Sequence, residues 1–178
     1  MPASPDQENL NVGIGYTIID SLSTLLIMSH SHPDTFLPAY RRAKSWVRTS
    51  LDFTAPRDRP VSVFETTIRV LAGLLSADWL EKDYFRLEPE TVYVGETEDE
   101  RVLLNKAADL SWRLSSAFDT PSGLPLSLVD LRLREGVKDP TSESHGLVST
   151  AEVGTLQLEF RYVFHILHFP AQVDLNPS

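Results

Sequence analysis

Apolar side chains recur at helical spacing in four separate stretches of this chain, and no other feature limits its fold as strongly. Residues three or four positions apart lie on one face of an α-helix. The four faces consist of Phe36, Tyr40, Ala43, Val47 and Leu51; of Phe64, Ile68, Leu71 and Leu75; of Leu103, Ala107, Leu110, Leu114 and Ala117; and of Val153, Leu156, Phe160, Val163 and Leu167. A fifth stretch, 12–29, is apolar nearly all round. We therefore predict an all-α chain with five long helices at about 12–29, 35–51, 62–80, 98–118 and 150–168.

Capping signals support the starts of these helices. A Ser or Thr followed three positions later by Glu can form a capping box. Asp34 precedes the second helix, and the boxes would be Ser62 with Glu65, Thr97 with Glu100, and Ser149 with Glu152.

The connections between the helices are rich in turn-forming and polar residues. Residues 91–94 are predicted to pair as a short strand, and residues 126–133 to form a small β ribbon. Residues 1–10 are expected to be disordered and 171–178 to fray, which leaves 11–170 as the folded part. Repeating helix pairs with long loops favour an α/α toroid or solenoid.

Composition excludes several classes of function. The chain has 178 residues, with 16 Lys+Arg against 25 Asp+Glu and a formal charge of −9. This charge argues against a nucleic-acid partner or a polybasic membrane patch. No apolar run approaches the ~20 residues of a membrane span, and no signal peptide or anchor is visible. Because there are no cysteines, we expect no disulfide partner. His165 and His168 lie three apart on a predicted helix, but no motif supplies a third ligand beside them, so no metal site is predicted.

A few charged residues stand out as candidates for chemistry. Asp20 lies in an apolar helix, where a carboxylate is costly unless paired. Glu65 and Arg69 are four apart on one helical face, and Glu152 and Glu159 are seven apart on another. Plainer interpretations remain open: helix capping for Glu65 and Glu152, a structural hydrogen bond for Asp20, and a solvated ion pair for Arg69.

Four segments carry a resemblance to a known family. Residues 15–28, 61–76, 117–125 and 151–162 resemble, in the same order, signatures of glycoside hydrolase family 47, the class I α-1,2-mannosidases. The resemblance implies the N-terminal portion of an (α/α)7 barrel, within 11–170, that trims α-1,2-linked mannose from N-glycans with inversion of configuration. It covers only the first part of the family domain, so we expect the chain to be a fragment and to be inactive alone.

The resemblance also assigns roles to the candidate residues. It implies Glu65 as the catalytic acid, with Arg69, Asp20, Glu159 and Glu152 binding the substrate, a high-mannose N-glycan. It implies a calcium cofactor whose threonine ligand lies outside this chain. The family works in the lumen of the endoplasmic reticulum or Golgi, and the open faces of a partial barrel would allow self-association.

Several positions depart from the family pattern. Ser23 replaces the second acid of the first signature, and Ser111-Trp112 replaces a Gly-Asp pair. Ala72-Gly73 stands where a Gly-Gly pair is usual, and Asp78 where an aromatic residue is expected near the end of that helix. These departures keep two alternatives open: a non-catalytic, mannosidase-like glycan-binding factor of glycoprotein quality control, and an inert truncated fragment.

Overall fold

Five helices and a small sheet make up the part of the chain that this computed structural model describes, residues 14–56, 59–87, 101–138 and 148–167. Helix α1 is Tyr16–Ser29 and α2 is Pro33–Ser50. Helix α3 spans 63–87 and consists of Val63–Glu65, the π-helical Thr66–Leu71, and Ala72–Leu87. Helix α4 is Val102–Leu114, followed by the 3₁₀ turn Ser115–Phe118. Helix α5 spans 150–167 and consists of Thr150–Thr155 and Gln157–Leu167. The predicted all-α class and helix order are confirmed.

The first two helices begin at conformationally restricted residues. Gly15 precedes α1 with a positive φ of 65°, and a Cβ there would collide with the Trp46 ring of α2, so only glycine fits. Helix α2 begins at Pro33, because the fixed φ of proline suits the first helical position. The predicted start at 35, with Asp34 as cap, is therefore wrong: His32 is the N-cap and Asp34 lies inside the first turn.

Helix α3 departs most from the regular helix predicted over 62–80. Thr66–Leu71 is π-helical, which inserts one extra residue into the turn. The buried face accordingly includes Thr66, Thr67 and Val70. Phe64 and Ile68, which the regular pattern placed in the core, are only partly buried.

The last two helices follow the sequence pattern closely. All five apolar positions predicted for α4 are buried. In α5, Leu156 interrupts the helix but is itself buried with Phe160 and Val163. Phe160 meets Phe118 edge to face, with ring centroids 5.6 Å apart, which joins α5 to the 3₁₀ turn that follows α4. The predicted residues 98–100, the 97–100 capping box and the short strand at 91–94 lie outside the described residues.

The β ribbon forms, but with bounds different from the predicted 126–133. Strands β1 (Val61–Ser62), β2 (Leu128–Asp130) and β3 (Glu135–Val137) form an antiparallel sheet in that order. Asp130 accepts hydrogen bonds from the backbone N–H groups of Arg132 and Leu133 at 2.9 Å. This Asx-type turn reverses the chain at 131–134, so the predicted strand is split into a hairpin.

Helix α1 contacts both α2 and α3, while α3 also contacts α4 and α5, so one continuous core joins the helices. Large apolar side chains nevertheless remain exposed on several of the described helices, among them Ile27, Trp79, Trp112 and Leu158. No helix within the described residues is both long and apolar enough to cross a bilayer.

A group of charged residues, of which Asp78 and Glu81 are buried, links α2 to α3. The Lys44 ammonium donates to both carboxylate oxygens of Glu81, at 2.6 and 2.7 Å, and Lys82 donates to Asp78 at 2.9 Å. Burial raises the pKa of Glu81 and outweighs the opposing effects of Lys44 and Tyr40, and the charge of Asp78 adds to the increase. The sequence pattern did not predict this group.

Gly73 allows α1 and α3 to pack closely, and replacing it should destabilise the fold. A Cβ at Gly73 would lie 2.9 Å from Ile19 Cγ2 and 3.1 Å from the Ile19 carbonyl oxygen. We expect Gly73→Ala to lower the free energy of unfolding by about 1–2 kcal/mol, because overpacking exceeds the helix-propensity gain. Urea unfolding followed by far-UV circular dichroism measures the change.

Gly154 supplies the matched control for that experiment. It also lies in a helix, but a Cβ there would meet nothing within 4 Å. We expect Gly154→Ala to stabilise the chain by up to about 1 kcal/mol. Equal effects of the two substitutions would contradict the close-packing argument, and a non-cooperative transition in the parent chain would support an inert fragment.

The contribution of Glu81 to the free energy of unfolding should fall as pH rises. Its pKa in the folded chain lies above the ordinary value of 4.5, so between these two values the folded state binds more protons than the unfolded state. We expect the unfolding free energy of the parent chain minus that of Glu81→Gln to decrease as pH rises from 4.5. This difference should level off above the pKa of Glu81 in the folded chain. A difference that grows with pH would show instead that the Lys44 ion pair outweighs burial.

Candidate active site

Arg69 lies between two carboxylates that come from different helices. Its Nε donates to Glu65 Oε2 at 2.6 Å, and its Nη1 contacts Asp20 Oδ2 at 3.4 Å. The side chains of Asp20, Glu65 and Arg69 are 45%, 43% and 48% exposed. The structure thus joins three of the five predicted site residues, and we refer to Asp20, Glu65 and Arg69 as the carboxylate–arginine cluster.

The π-helical turn of α3 holds this cluster at the surface. Thr66 and Thr67 lie beneath it and are fully buried. Thr67 donates its hydroxyl proton to the Val63 carbonyl at 2.8 Å, and the Tyr16 hydroxyl is 2.8 Å from Thr66 Oγ1. The Tyr16–Thr66 contact fixes α1 against the π turn. Tyr16 was not singled out from the sequence, although a tyrosine one turn before Asp20 in a buried helix was a usable signal.

The capping interpretation of Glu65 is only half fulfilled. The Ser62 hydroxyl accepts a hydrogen bond from the Glu65 backbone N–H at 3.2 Å, as in a capping box. The Glu65 carboxylate, however, turns to Arg69 instead of returning to the Ser62 backbone. Ser62 is already paired with Leu128 in the sheet. Glu65 therefore presents its carboxylate to the exposed side of the helix, where it can meet a ligand.

Electrostatics keep the arginine of the cluster charged. Hydrogen bonding and charge from Glu65, with a further hydrogen bond from Asp20, raise the pKa of Arg69 above its already high value. The cluster therefore offers a permanent donor fork between two acceptor groups. This combination of donors and acceptors can bind adjacent hydroxyl groups of a sugar.

The two glutamates of α5 differ from each other in their surroundings. Glu152 completes a capping box with Ser149: its carboxylate accepts from the Ser149 N–H at 3.0 Å, and its own N–H donates to Ser149 Oγ at 3.2 Å. Glu159 is partly buried, and its Oε2 has no hydrogen-bond partner among the described residues. No hydrogen bond or ion pair in the described part connects either residue to the carboxylate–arginine cluster.

The departures from the family pattern occupy distinct environments. Trp112 is half-exposed, and the Arg134 guanidinium stacks over its ring with Cζ 3.2 Å from the centroid. Asp78 is almost fully buried in its ion pair with Lys82. Ser23 is partly buried on α1, one turn after Asp20. Ser23 therefore leaves Asp20 as the acid that α1 contributes to the cluster.

The calcium implied by the resemblance has no ligand set in the part of the chain described here. Across residues 14–56, 59–87, 101–138 and 148–167, no three His, Asp or Glu side chains converge closely enough to hold a metal ion. The cluster itself contains two carboxylates, but Arg69 already occupies the space between them. No step of the chemistry is therefore assigned to a metal.

Sequence comparison identifies relatives over most of the chain. Residues 1–169 match the sequence model of glycosyl hydrolase family 47. The chain is 40% identical over 161 residues to the endoplasmic reticulum mannosyl-oligosaccharide 1,2-alpha-mannosidase of Schizosaccharomyces pombe, covering 90% of this chain and 26% of that protein. It is 39% identical over 160 residues to the protein of the same name from Saccharomyces cerevisiae, covering 88% and 26%. The chain thus spans about a quarter of the length of these curated relatives.

A solved structure shows the same arrangement. The alpha-1,2-mannosidase from Trichoderma reesei superposes with a TM-score of 0.68 at 29% sequence identity, covering 88% of this chain and 29% of that one. That enzyme is an (α/α)7 barrel, so the five helices correspond to part of such a toroid, as the resemblance implied. The chain belongs to glycosyl hydrolase family 47.

Proposed function

We propose that this chain forms part of the active site of a mannosyl-oligosaccharide 1,2-α-mannosidase that hydrolyses α-1,2-linked mannose in N-glycans. The observation that carries the proposal is the carboxylate–arginine cluster, in which Glu65 and Asp20 from two helices converge on Arg69 at an exposed face. The names of the relatives support the same substrate class.

Glu65 acts as the acid that protonates the leaving oxygen, either directly or through a water molecule. Arg69 orients it through the 2.6 Å hydrogen bond and donates to sugar hydroxyls. Asp20 accepts from the same sugar, and Glu159 provides a further acceptor through its unpartnered oxygen. A sugar-binding role for Glu152 stays a prediction. Its carboxylate already accepts a hydrogen bond from the Ser149 N–H in the helix cap.

Inversion also needs a base on the opposite face of the sugar. The two carboxyl groups of an inverting glycosidase lie ~6.5–9.5 Å apart, with the attacking water between the base and the sugar. Glu65 and Asp20 instead share one guanidinium on one side. We therefore place the base and the calcium ligands in the part of the family domain that this chain does not match.

The names of the relatives also suggest where the protein works. Those from Saccharomyces cerevisiae, Schizosaccharomyces pombe and Homo sapiens are named endoplasmic reticulum enzymes. We propose the lumen of the endoplasmic reticulum or Golgi as the site of action, with high-mannose N-glycans as the substrate.

Grafting tests whether Glu65 can act as the acid. Residues 14–167 would replace the matched segment of the Saccharomyces cerevisiae relative, which supplies the remainder of the barrel. We expect the chimera to release mannose and Glu65→Gln to lower its kcat by about 10²- to 10⁴-fold, because general acid catalysis is lost. Glu135→Gln, at an exposed glutamate of β3 outside the predicted site, is the matched control and should leave kcat within about threefold of the chimera.

Two outcomes would contradict the proposal. An active chimera whose kcat is unaffected by Glu65→Gln would remove Glu65 from the chemistry. For the 178-residue chain alone, with calcium present, we expect no mannose release above its own Glu65→Gln variant. Release above that level would show that the described cluster needs no second carboxylate from elsewhere.

A second function, glycan binding without hydrolysis, is favoured by Ser23 in place of an acid beside Asp20. If it is correct, the chain alone should bind a high-mannose glycan. Arg69→Gln should then weaken binding by roughly tenfold, which corresponds to ~1.4 kcal/mol, whereas Arg41→Gln on the exposed side of α2 should have no effect. Isothermal titration calorimetry measures both, and the absence of heat from the parent chain would eliminate this alternative.

A further inference from the structure

We propose that a cavity beside the small sheet is a binding site for a phosphate-class oxyanion. The cavity measures about 70 Å³. It lies between Ala55 and Arg59, which precede β1, and the turn that joins β2 to β3. Arg59, two residues before β1, and Arg132, in the turn, are both among its lining residues, and both are exposed to solvent. This volume has room for a small polyatomic ion.

The two arginines differ from the neighbouring arginines because neither guanidinium has a partner among the residues that the structure describes. Arg113 is bound to Asp109 and to the Leu131 carbonyl, each at 2.9 Å, and Arg134 stacks on Trp112. The guanidinium groups of Arg59 and Arg132 make no hydrogen bond or ion pair with any residue in the described part of the chain. A guanidinium fork matches a phosphate through paired hydrogen bonds, and two forks from separate segments can hold one anion from both sides.

The walls of the cavity are fixed before any ligand arrives. Val61, Val129 and Leu131 line it and are buried in the sheet. The Leu131 carbonyl is held by Arg113, and the turn is closed by the hydrogen bonds from Arg132 and Leu133 to Asp130. The backbone of the turn is therefore ordered before binding, and the loss of conformational entropy is confined to the two arginine side chains. The buried apolar residues that line the cavity also lower the local dielectric constant, which strengthens the attraction between guanidinium and anion.

The charges around the cavity favour an anion even though the whole chain is acidic. Asp130 also lines the cavity, but its Oδ1 already accepts two backbone hydrogen bonds, so the two arginines exceed it by one positive charge. The formal charge of −9 would repel an anion from most of the surface. Binding of phosphate at this one location would therefore reflect the local pair and not a general attraction.

An NMR titration of the 178-residue chain with inorganic phosphate tests the proposal. Ionic strength is kept constant with chloride, so that screening does not change. We expect saturable shifts at the backbone amides of Asp130, Arg132 and Leu133. Arg59→Gln and Arg132→Gln should each weaken binding at least about fivefold, because each removes a charged hydrogen bond, and Arg41→Gln should not change it.

The titrations with the variants test the arginine pair, and those with different phosphates identify the ligand. No shift at the hairpin amides, or an unchanged affinity in both arginine variants, would overturn the proposal. Arg132→Lys supports it if binding falls between the parent and Arg132→Gln, because lysine keeps the charge but loses the paired geometry. Mannose 6-phosphate that shifts the same amides, where mannose does not, would place the phosphate on a sugar; binding of inorganic phosphate alone would identify a free ion as the ligand.

Discussion

The close contact between α1 and α3 at Ile19 and Gly73 is the constraint on which the candidate site depends. Ile19 lies against Gly73 with no room for a Cβ, and the next residue, Asp20, reaches Arg69 one turn before Gly73. The distance between the two helices therefore sets the distance between a carboxylate on one and a guanidinium on the other. The packing of apolar atoms determines the geometry of polar ones, because a helix moves as a rigid unit.

Charged groups in this chain are used in two different ways. Lys44 and Glu81 lie at a helix–helix contact, largely removed from water, and there burial governs the proton affinity of Glu81. Asp20, Glu65 and Arg69 remain about half-exposed, so solvent screens their mutual attraction and leaves them available to a ligand. Both groups include residues of α3, one at its π turn and the other farther along the helix.

Much of the fold was predictable because helical periodicity is a local signal. The apolar face of α4 and the capping box of Ser149 and Glu152 were both read correctly from neighbouring residues. The hairpin bounds were not, because the turn depends on one side chain, Asp130, bonding to backbone groups that follow it. The pairing of Asp20 with Arg69 joins residues 49 apart in sequence. The helical pattern could place each on a helix but could not bring them together; only the family resemblance suggested a shared cavity.

The π turn at Thr66–Leu71 gives α3 a length that cannot be shortened without consequence. A π turn contains one residue more than the regular helix around it, and each residue of an α-helix rotates the chain by ~100°. A π turn rotates the chain by less per residue, so the segments on either side keep the relative orientation of a regular helix one residue shorter. Loss of one residue between Glu65 and Arg69 would therefore restore ordinary helical geometry and leave the buried faces before and after the turn aligned. It would also place Glu65 and Arg69 three positions apart instead of four, and so change the hydrogen bond between them. The extra residue thus affects the polar cluster at the surface more than the apolar core beneath it.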